Sequence, residues 1–496
     1  MRTQAIFGVI GLVVVGVLLW FGVSLTQQVD DLANRLSAIE SGMGTLTETT
    51  DGVNSSMREL RTTLTGIQDE IRELREDLTT NRSRLASLES RLQTLSQQIR
   101  QSGPSEPQLT SSGLPTRGQT TKAAVADFND DGIPDLYIAN GYNTNADNLY
   151  ALGNGDGSFN VVALAEYGLP SGGASTGVTA ADFDRDGDTD LYVSNSVGQA
   201  NWYLRNDGSG RFEQLDLKAA GLPRGSFTNG SAVAADFNGD GAVDLFVPNS
   251  QTSVYALNNG DGKFSTMPLG EAGIPSDATA VAAAAADFNR DGWLDLYVAN
   301  GIRAQSGQPI EENDDMLINA GDGTFERQDL ASVGLPEGGT SSAVVTEDFN
   351  GDGAVDLFVA RADPYLENAL ALNNGDGTFT AIEAADAGLA LGSGVMSYGA
   401  TSGDIDRDGD PDLVIANGGI SGRQNNTVAF NNGDGTFKTR DVKNMGLPGG
   451  GSSMDAVLAD FNRDGVLDLF VTDVNPVSDP IYAIGTGDGA FRAIEP

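Results

Sequence analysis

The chain contains no cysteine and no histidine. Disulfides, thiolate nucleophiles, zinc-type nitrogen and sulfur sites and imidazole acid–base chemistry are therefore excluded. Carboxylates, Arg, Lys, Tyr, Ser and Thr are what remain for chemistry or binding. Basic residues are also scarce, with 29 Lys and Arg against 69 Asp and Glu, a net charge of −40 over 496 residues. The deficit is uneven: residues 1–101 carry a net −2 and the rest a net −38. Phosphate binding needs Lys and Arg, so nucleic acid is excluded as a partner of the acidic part. A large load of bound cations, or a saline habitat, accounts for such an excess.

One long stretch has no charge at all. Ala5 to Val23 is an apolar run of 19 residues, long enough to cross a bilayer as a helix. Arg2 precedes it and Asp30 and Asp31 follow. The positive-inside tendency then makes residues 1–4 a short cytoplasmic tail, 5–23 a transmembrane signal anchor, and everything beyond extracytoplasmic, in the periplasm or at the cell surface. A cleaved signal peptide ending near Gly22-Val23-Ser24 is the alternative, although its apolar region would be long for one.

Residues 25–101 carry an apolar residue at alternating spacings of four and three, from Leu25, Val29, Leu32 and Leu36 to Leu92, Leu95 and Ile99. Only Thr50 and Asn81 interrupt the seam. This is a coiled-coil heptad pattern, which needs a partner helix, so the chain is expected to form a homo-oligomer through it. Mixed Leu, Ile, Val and Met along the seam leave dimer and trimer open. A lone amphipathic helix is the alternative. A continuous helix of this length would be a spacer on the order of 100 Å. Residues 102–112 read as a linker, because Gly103, Pro104 and Pro107 end the helix.

Beyond Gly113 one unit recurs. A motif of the form Asp-Phe-Asn-x-Asp-Gly-x-x-Asp-Leu starts at Asp127, Asp182, Asp236, Asp287, Asp348, Asp404 and Asp460. A second, resembling Asn-Asn-Gly-Asp-Gly-Thr-Phe, ends at Phe159, Phe212, Phe264, Phe325, Phe379, Phe437 and Phe491. Gly-Leu-Pro or a variant falls at Gly113, Gly168, Gly221, Gly273, Gly334, Gly388 and Gly446. Each unit reads as four short strands: a small-residue strand before the acidic motif, an apolar strand after it, a third ending in the Gly-Asp-Gly turn and a fourth starting at the Phe. Seven such units with a period above fifty residues predict an all-β, seven-bladed β-propeller over 113–496, four antiparallel strands per blade. A β-solenoid is the alternative. Which terminus completes the ring is left open by the sequence.

The acidic motif has the donor spacing of a calcium loop. Calcium takes six to eight oxygen ligands, and alternate loop residues can aim theirs at one centre. Positions 1, 3, 5 and 9 carry oxygen donors in every copy, and position 6 is glycine. The expected ligands are Asp127, Asn129, Asp131 and Asp135; Asp182, Asp184, Asp186 and Asp190; Asp236, Asn238, Asp240 and Asp244; Asp287, Asn289, Asp291 and Asp295; Asp348, Asn350, Asp352 and Asp356; Asp404, Asp406, Asp408 and Asp412; and Asp460, Asn462, Asp464 and Asp468. Up to seven Ca2+ ions, one per blade, are expected. They would reduce the −38 of this part to −24. An Asx-turn hairpin without metal is the alternative for any single loop.

These loops resemble the FG-GAP (or VCBS) repeat family, known from the propeller head of integrin α subunits. The resemblance covers roughly residues 107–496. It implies a seven-bladed propeller with calcium between the first two strands of a blade. Every unit here keeps the motif, whereas integrin heads carry it in only some blades, and no inserted domain is visible.

Anchor, spacer and rigid head together suggest a surface-exposed binding or adhesion module for a glycan or protein. Its ligand would meet the variable loops after the second strand and after Gly-Leu-Pro. The longest, 301–315, carries Glu311, Glu312, Asp314 and Asp315. A solvated acidic loop is the plainer account of that run. The alternatives are a carboxylate-dependent glycoside hydrolase or polysaccharide lyase, with Glu311 and Asp315 as candidate acids, or an envelope scaffold. No catalytic residue is assigned by the sequence.

Overall fold

The structure, a computed structural model, describes residue 109 and residues 111–495 apart from short gaps at 116–117, 143, 226–229, 277–278, 306–307, 312, 393 and 419–422, together with helical positions 61–62, 64–66 and 72. Over 302–311 the description covers the backbone alone. The anchor at 5–23 and nearly all of the coiled coil lie outside the described residues. Among the described residues no helix is long and apolar enough to cross a membrane.

Leu109–Pro496 forms one compact unit. Seven four-stranded antiparallel sheets follow one another, each built from consecutive strands in the order first, second, third, fourth. The first and fourth strands are Thr120–Ala126 and Phe159–Val161 in blade 1, Ser175–Ala181 and Phe212–Leu215 in blade 2, and Val233–Ala235 and Phe264–Met267 in blade 3. They are Ala280–Ala286 and Phe325–Gln328 in blade 4, and Ser341–Glu347 and Phe379–Ile382 in blade 5. Blade 6 has Ser397–Gly403 and Phe437–Asp441, and blade 7 has Ser453–Ala459 and Phe491–Ala493. Blade 4 carries an added hairpin, Ile302–Gln305 with Gln308–Glu311, between its second and third strands.

First strands of neighbouring blades touch around the ring, including blade 7 against blade 1. Crowding at the axis explains their small residues: a Cβ on Gly399 would lie 2.4 Å from the Met454 carbonyl oxygen of the next blade. Second strands such as Asp135–Asn140 and Asp295–Asn300 are buried along their whole length, as a sheet covered on both faces requires. Fourth strands are largely exposed after their leading Phe.

The core is not one mass but seven clusters, each straddling two blades. The Phe at position 2 of an acidic loop meets the leading Phe of the next blade's fourth strand edge-on, as in Phe128–Phe212 at 5.8 Å and Phe461–Phe159 at 5.2 Å between ring centroids. Edge-to-face pairs of this kind add ~1 kcal/mol each beyond their burial. At the junction of blades 6 and 7, Ile405 takes the aromatic's place against Phe491.

Ring closure is decided by both termini in different ways. The carboxy terminus supplies all four strands of blade 7, while the amino-terminal segment supplies a connector and no strand. Ser112 donates its amide to Glu495 O at 2.8 Å and accepts from Phe159 N at 2.7 Å. In blades 3 to 6 the corresponding Phe amide bonds the residue before Gly-Leu-Pro or its variant, as in Phe264 N to Ala220 O at 2.8 Å. Leu109, Ser111 and Ser112, read from sequence as linker, thus belong to the ring. Leu109 stands four residues before its Gly-Leu, the spacing of Leu164–Gly168 and Leu217–Gly221.

Candidate metal centre

Each acidic loop joins the first and second strands of its blade and is drawn in by its own backbone. In blade 1, Asp127 accepts from the amides of Asp131 (3.0 Å) and Gly132 (2.6 Å). Asn129 Oδ1 accepts from Asp131 N at 3.0 Å, and Asp131 Oδ1 from Ile133 N at 2.9 Å. These bonds bring the side chains of positions 1, 3 and 5 round one turn. Position 6 is a positive-φ glycine in all seven copies, from Gly132 at 78° to Gly409 at 100°. Position 4 is left-handed too, at Asp130, Arg185, Arg290, Arg407 and Arg463 and at Gly239 and Gly351. The glycines in blades 3 and 5 were the available signal for that second constraint.

Position 9 is the first residue of the second strand and is buried in every blade (Asp135, Asp190, Asp244, Asp295, Asp356, Asp412, Asp468). One carboxylate oxygen accepts the position-2 amide, as in Phe128 N to Asp135 Oδ2 at 3.1 Å. The other accepts the amide ending the third strand, as in Asn373 N to Asp356 Oδ1 at 2.7 Å. Burial pushes these carboxyls up to about 7 at Asp135, Asp190 and Asp468, and to about 6 at Asp244, Asp295, Asp356 and Asp412. The backbone donors pull the other way. A cation in the loop would hold them ionised.

The next blade encloses each loop. The second glycine of its Gly-Asp-Gly turn (Gly-Ser-Gly in blade 2) lies over the position-3 side chain: a Cβ on Gly210 would be 3.1 Å from Asn129 Cβ, and one on Gly262 3.1 Å from Asp184 Cβ. The same relation recurs around the ring, ending with Gly157 over Asn462. The acidic loops and Gly-Asp-Gly turns therefore share one face of the propeller. An Asn ending the third strand adds a latch: Asn206 Nδ2 donates to Phe128 O at 2.8 Å in the preceding blade and to Thr189 O at 3.0 Å in its own. Asn258, Asn319, Asn373 and Asn431 do the same. Sequence reading missed this role, although the leading Asn of the Asn-Asn-Gly-Asp-Gly motif was its signal.

Oxygen is the only donor type in these loops, which suits a hard cation. Among the described residues, one oxygen each of Asp182, Asp184 and Asp190 lies within 4.8 Å of the others, and so for Asp404, Asp406 and Asp412. Two ligands of one ion bound at about 2.4 Å can be that far apart. In the same two loops Asp182 Oδ1, Asp404 Oδ1 and Asp406 Oδ1 are buried without a hydrogen-bond partner. Buried acceptors left unpaired are costly, and a divalent ion is the group that would satisfy them. The residues fit a metal.

The acidic run on the opposite face is not a solvated loop throughout. Asp314 is buried, accepting from Asn300 N (2.8 Å), Tyr297 Oη (2.7 Å) and Ser341 Oγ (2.7 Å). Asp315 is buried as well, pairing with Arg327 Nε at 2.5 Å and accepting from Asn300 Nδ2 at 2.9 Å. Asn148, Asn201, Asn368 and Asn426 hold the place of Asp314 in other blades. Asp314 is thus a structural fixture of the junction with blade 5, and Asp315 a structural fixture within blade 4.

The FG-GAP-like repeat family profile matches residues 127–193, 182–247, 236–298, 306–359, 348–415 and 404–471. Cartilage acidic protein 1 of Mus musculus is 27% identical over 215 residues, covering 40% of this chain and 30% of that protein. The Homo sapiens protein is 27% identical over 217 residues with the same coverage. The match thus spans about a third of the length of these curated relatives. Among solved structures, an Agrocybe aegerita lectin that recognises non-reducing terminal N-acetylglucosamine superposes with a TM-score of 0.43 at 20% identity, over 66% of this chain and 81% of the lectin. The V. cholerae biofilm matrix protein Bap1 gives 0.34 at 14% identity, over 78% of this chain and 68% of that one. The matched repeats cover more than half of the sequence and coincide with the acidic loops around the ring, so the chain belongs to the FG-GAP-like repeat family.

Proposed function

We propose that this chain is a calcium-stabilised binding head, tethered to a membrane through residues 5–23 and oligomerised through 25–101, which recognises a glycan or protein on the face opposite its metal loops. Each metal would be held by positions 1, 3, 5 and 9 of a loop, where it would neutralise clustered carboxylates and stiffen the hairpin. The observation that carries the binding role is how the variable loops are tied together. Ala146 and Gly173, from consecutive blade segments, exchange amide bonds at 2.8 Å in both directions. Gln199 accepts from Ala174 N at 3.1 Å and donates to Asn145 at 3.1 Å. Gln424 accepts from Met396 N at 2.8 Å, and its own amide reaches Gly451 O at 2.8 Å. Loops fixed in this way lose little entropy when a ligand docks.

The same face presents Tyr365, 91% exposed, with Val197 and Val477. Two adjoining cavities of about 450 and 130 Å³ share Leu391 and Val395; Tyr365 lines the smaller, and Arg423 and Asp441 line the larger. Their size and mixed lining suit a small ligand or one residue of a larger one. Oligomerisation would add avidity. A glycan array and pull-down with the full-length protein, in calcium and in EDTA, test the reading. Specific capture weakened by Tyr365→Ala supports it; no ligand in either format removes it.

A further inference from the structure

The seven metal loops differ in one respect that the repeat obscures. Five place Asn at position 3, whereas blades 2 and 6 place Asp184 and Asp406 there. The ligand set of positions 1, 3, 5 and 9 then carries four formal charges in place of three. The hydrogen bonding differs with it. In the Asn loops, position 1 spends Oδ1 on the position-5 amide, as in Asp352 N to Asp348 Oδ1 at 3.1 Å and Asp464 N to Asp460 Oδ1 at 2.9 Å. In blades 2 and 6 the corresponding oxygens, Asp182 Oδ1 and Asp404 Oδ1, are buried and unpartnered. Donor atoms there are more highly charged and less engaged.

Blades 2 and 6 also differ from each other. Arg205 Nη1 lies 4.0 Å from Asp184 Oδ2 and offsets part of the charge of the blade 2 loop. Phe430 stands at the matching place in the third strand of blade 6, so Asp406 has no cation paired with it among the described residues. Asp406 Oδ1 is itself buried without a partner.

We infer that the loops form a graded set, resting on the calcium reading above: blade 6 binds a divalent cation most tightly, blade 2 next, and the five Asn loops more weakly. Affinity in oxygen-donor loops follows the count of ligand charges, and the carboxylates that raise it also repel one another until an ion arrives. The test is calcium titration of demetallated full-length protein by calorimetry, with native mass spectrometry counting ions. One or two ions should bind about tenfold or more tightly than the rest. Asp406→Asn should remove the tightest-binding ion from the tight class while leaving total stoichiometry unchanged, and Asn350→Asp should create a further tight site in blade 5. The gain-of-site variant keeps the inference testable if Asp406→Asn fails to fold. Indistinguishable sites, or a tight class that loses no ion in Asp406→Asn, overturn the grading while calcium binding stands. No calcium bound at any loop overturns the reading beneath it.

Discussion

Lys122 Nζ lies 2.9 Å from Asp455 Oδ1 across the junction of the first and seventh blades, and the other oxygen of Asp455 accepts the amide of Ala123 at 3.2 Å. Lys122 and Asp455 are 333 residues apart in sequence, so this contact joins the two ends of the propeller. Thr120 reinforces it, accepting from Asp473 N at 2.7 Å. The pair is largely but not wholly shielded, with side chains 19% and 12% exposed. Asp455→Asn or Lys122→Met should therefore cost between the ~1 kcal/mol of an exposed pair and the ~3 kcal/mol of a buried one. Denaturant melts of the two single variants and the double variant measure the coupling, and additive losses would show that the pair does not hold the ring.

Chelation should destabilise the head. An ion that binds only the folded state adds about 2.7 kcal/mol when calcium is at a hundred times its dissociation constant. Several such ions would move the melting temperature by about 10 °C or more on the usual scaling for domains of this size. Scanning calorimetry in millimolar calcium and in excess EDTA makes the comparison, and coincident transitions would contradict a structural metal.

The response to pH should change sign with metal. In the metal-free protein, Asp135, Asp190 and Asp468 titrate near 7, against about 4 in an unfolded chain. Between those values the folded state binds more protons, so its stability falls as pH rises from about 4 to about 7. Melting in EDTA should accordingly be higher at pH 5 than at pH 8. Calcium favours the ionised carboxylates, so its protection should fade as pH drops below about 7. Equal melting temperatures at pH 5 and 8 without metal would refute the buried carboxylates as the cause.

Six of the seven Gly-Leu-Pro glycines, all but Gly446, are pressed against the backbone of a leading Phe. Gly273 has φ of 76°, and a Cβ there would lie 1.8 Å from Phe325 O. Gly273→Ala should cost about 3 kcal/mol or more, combining left-handed strain with a backbone clash. At Gly270, three residues earlier, an added methyl would meet nothing within 4 Å. Gly270→Ala should therefore change stability by less than about 0.5 kcal/mol. Similar melts for the two variants would sink the argument.

How much was legible in the sequence divides along the distance between partners. The three recurring motifs established the blade number, the strand order within a blade, the glycine at position 6 and the oxygen donors of each loop, because all of these depend on residues within one unit. A donor loop such as Asp127 to Asp135 closes on its own amides, so its spacing already states its geometry. The proposed anchor and stalk also rest on local pattern, a run of apolar residues and a heptad seam.

Tertiary structure alone decided what lies between units. That Gly157 covers Asn462, that Asn206 latches onto Phe128 and that Ser112 takes the place of a connector residue are relations between residues far apart in the chain. It also turned Asp314 and Asp315 from an acidic surface run into buried structural residues. Hydrophobic periodicity reports which face of a strand is covered but not by what, since burial depends on apolar area and carries no address. The address comes from the ring: only when seven twisted sheets close on one another does each loop acquire its roof.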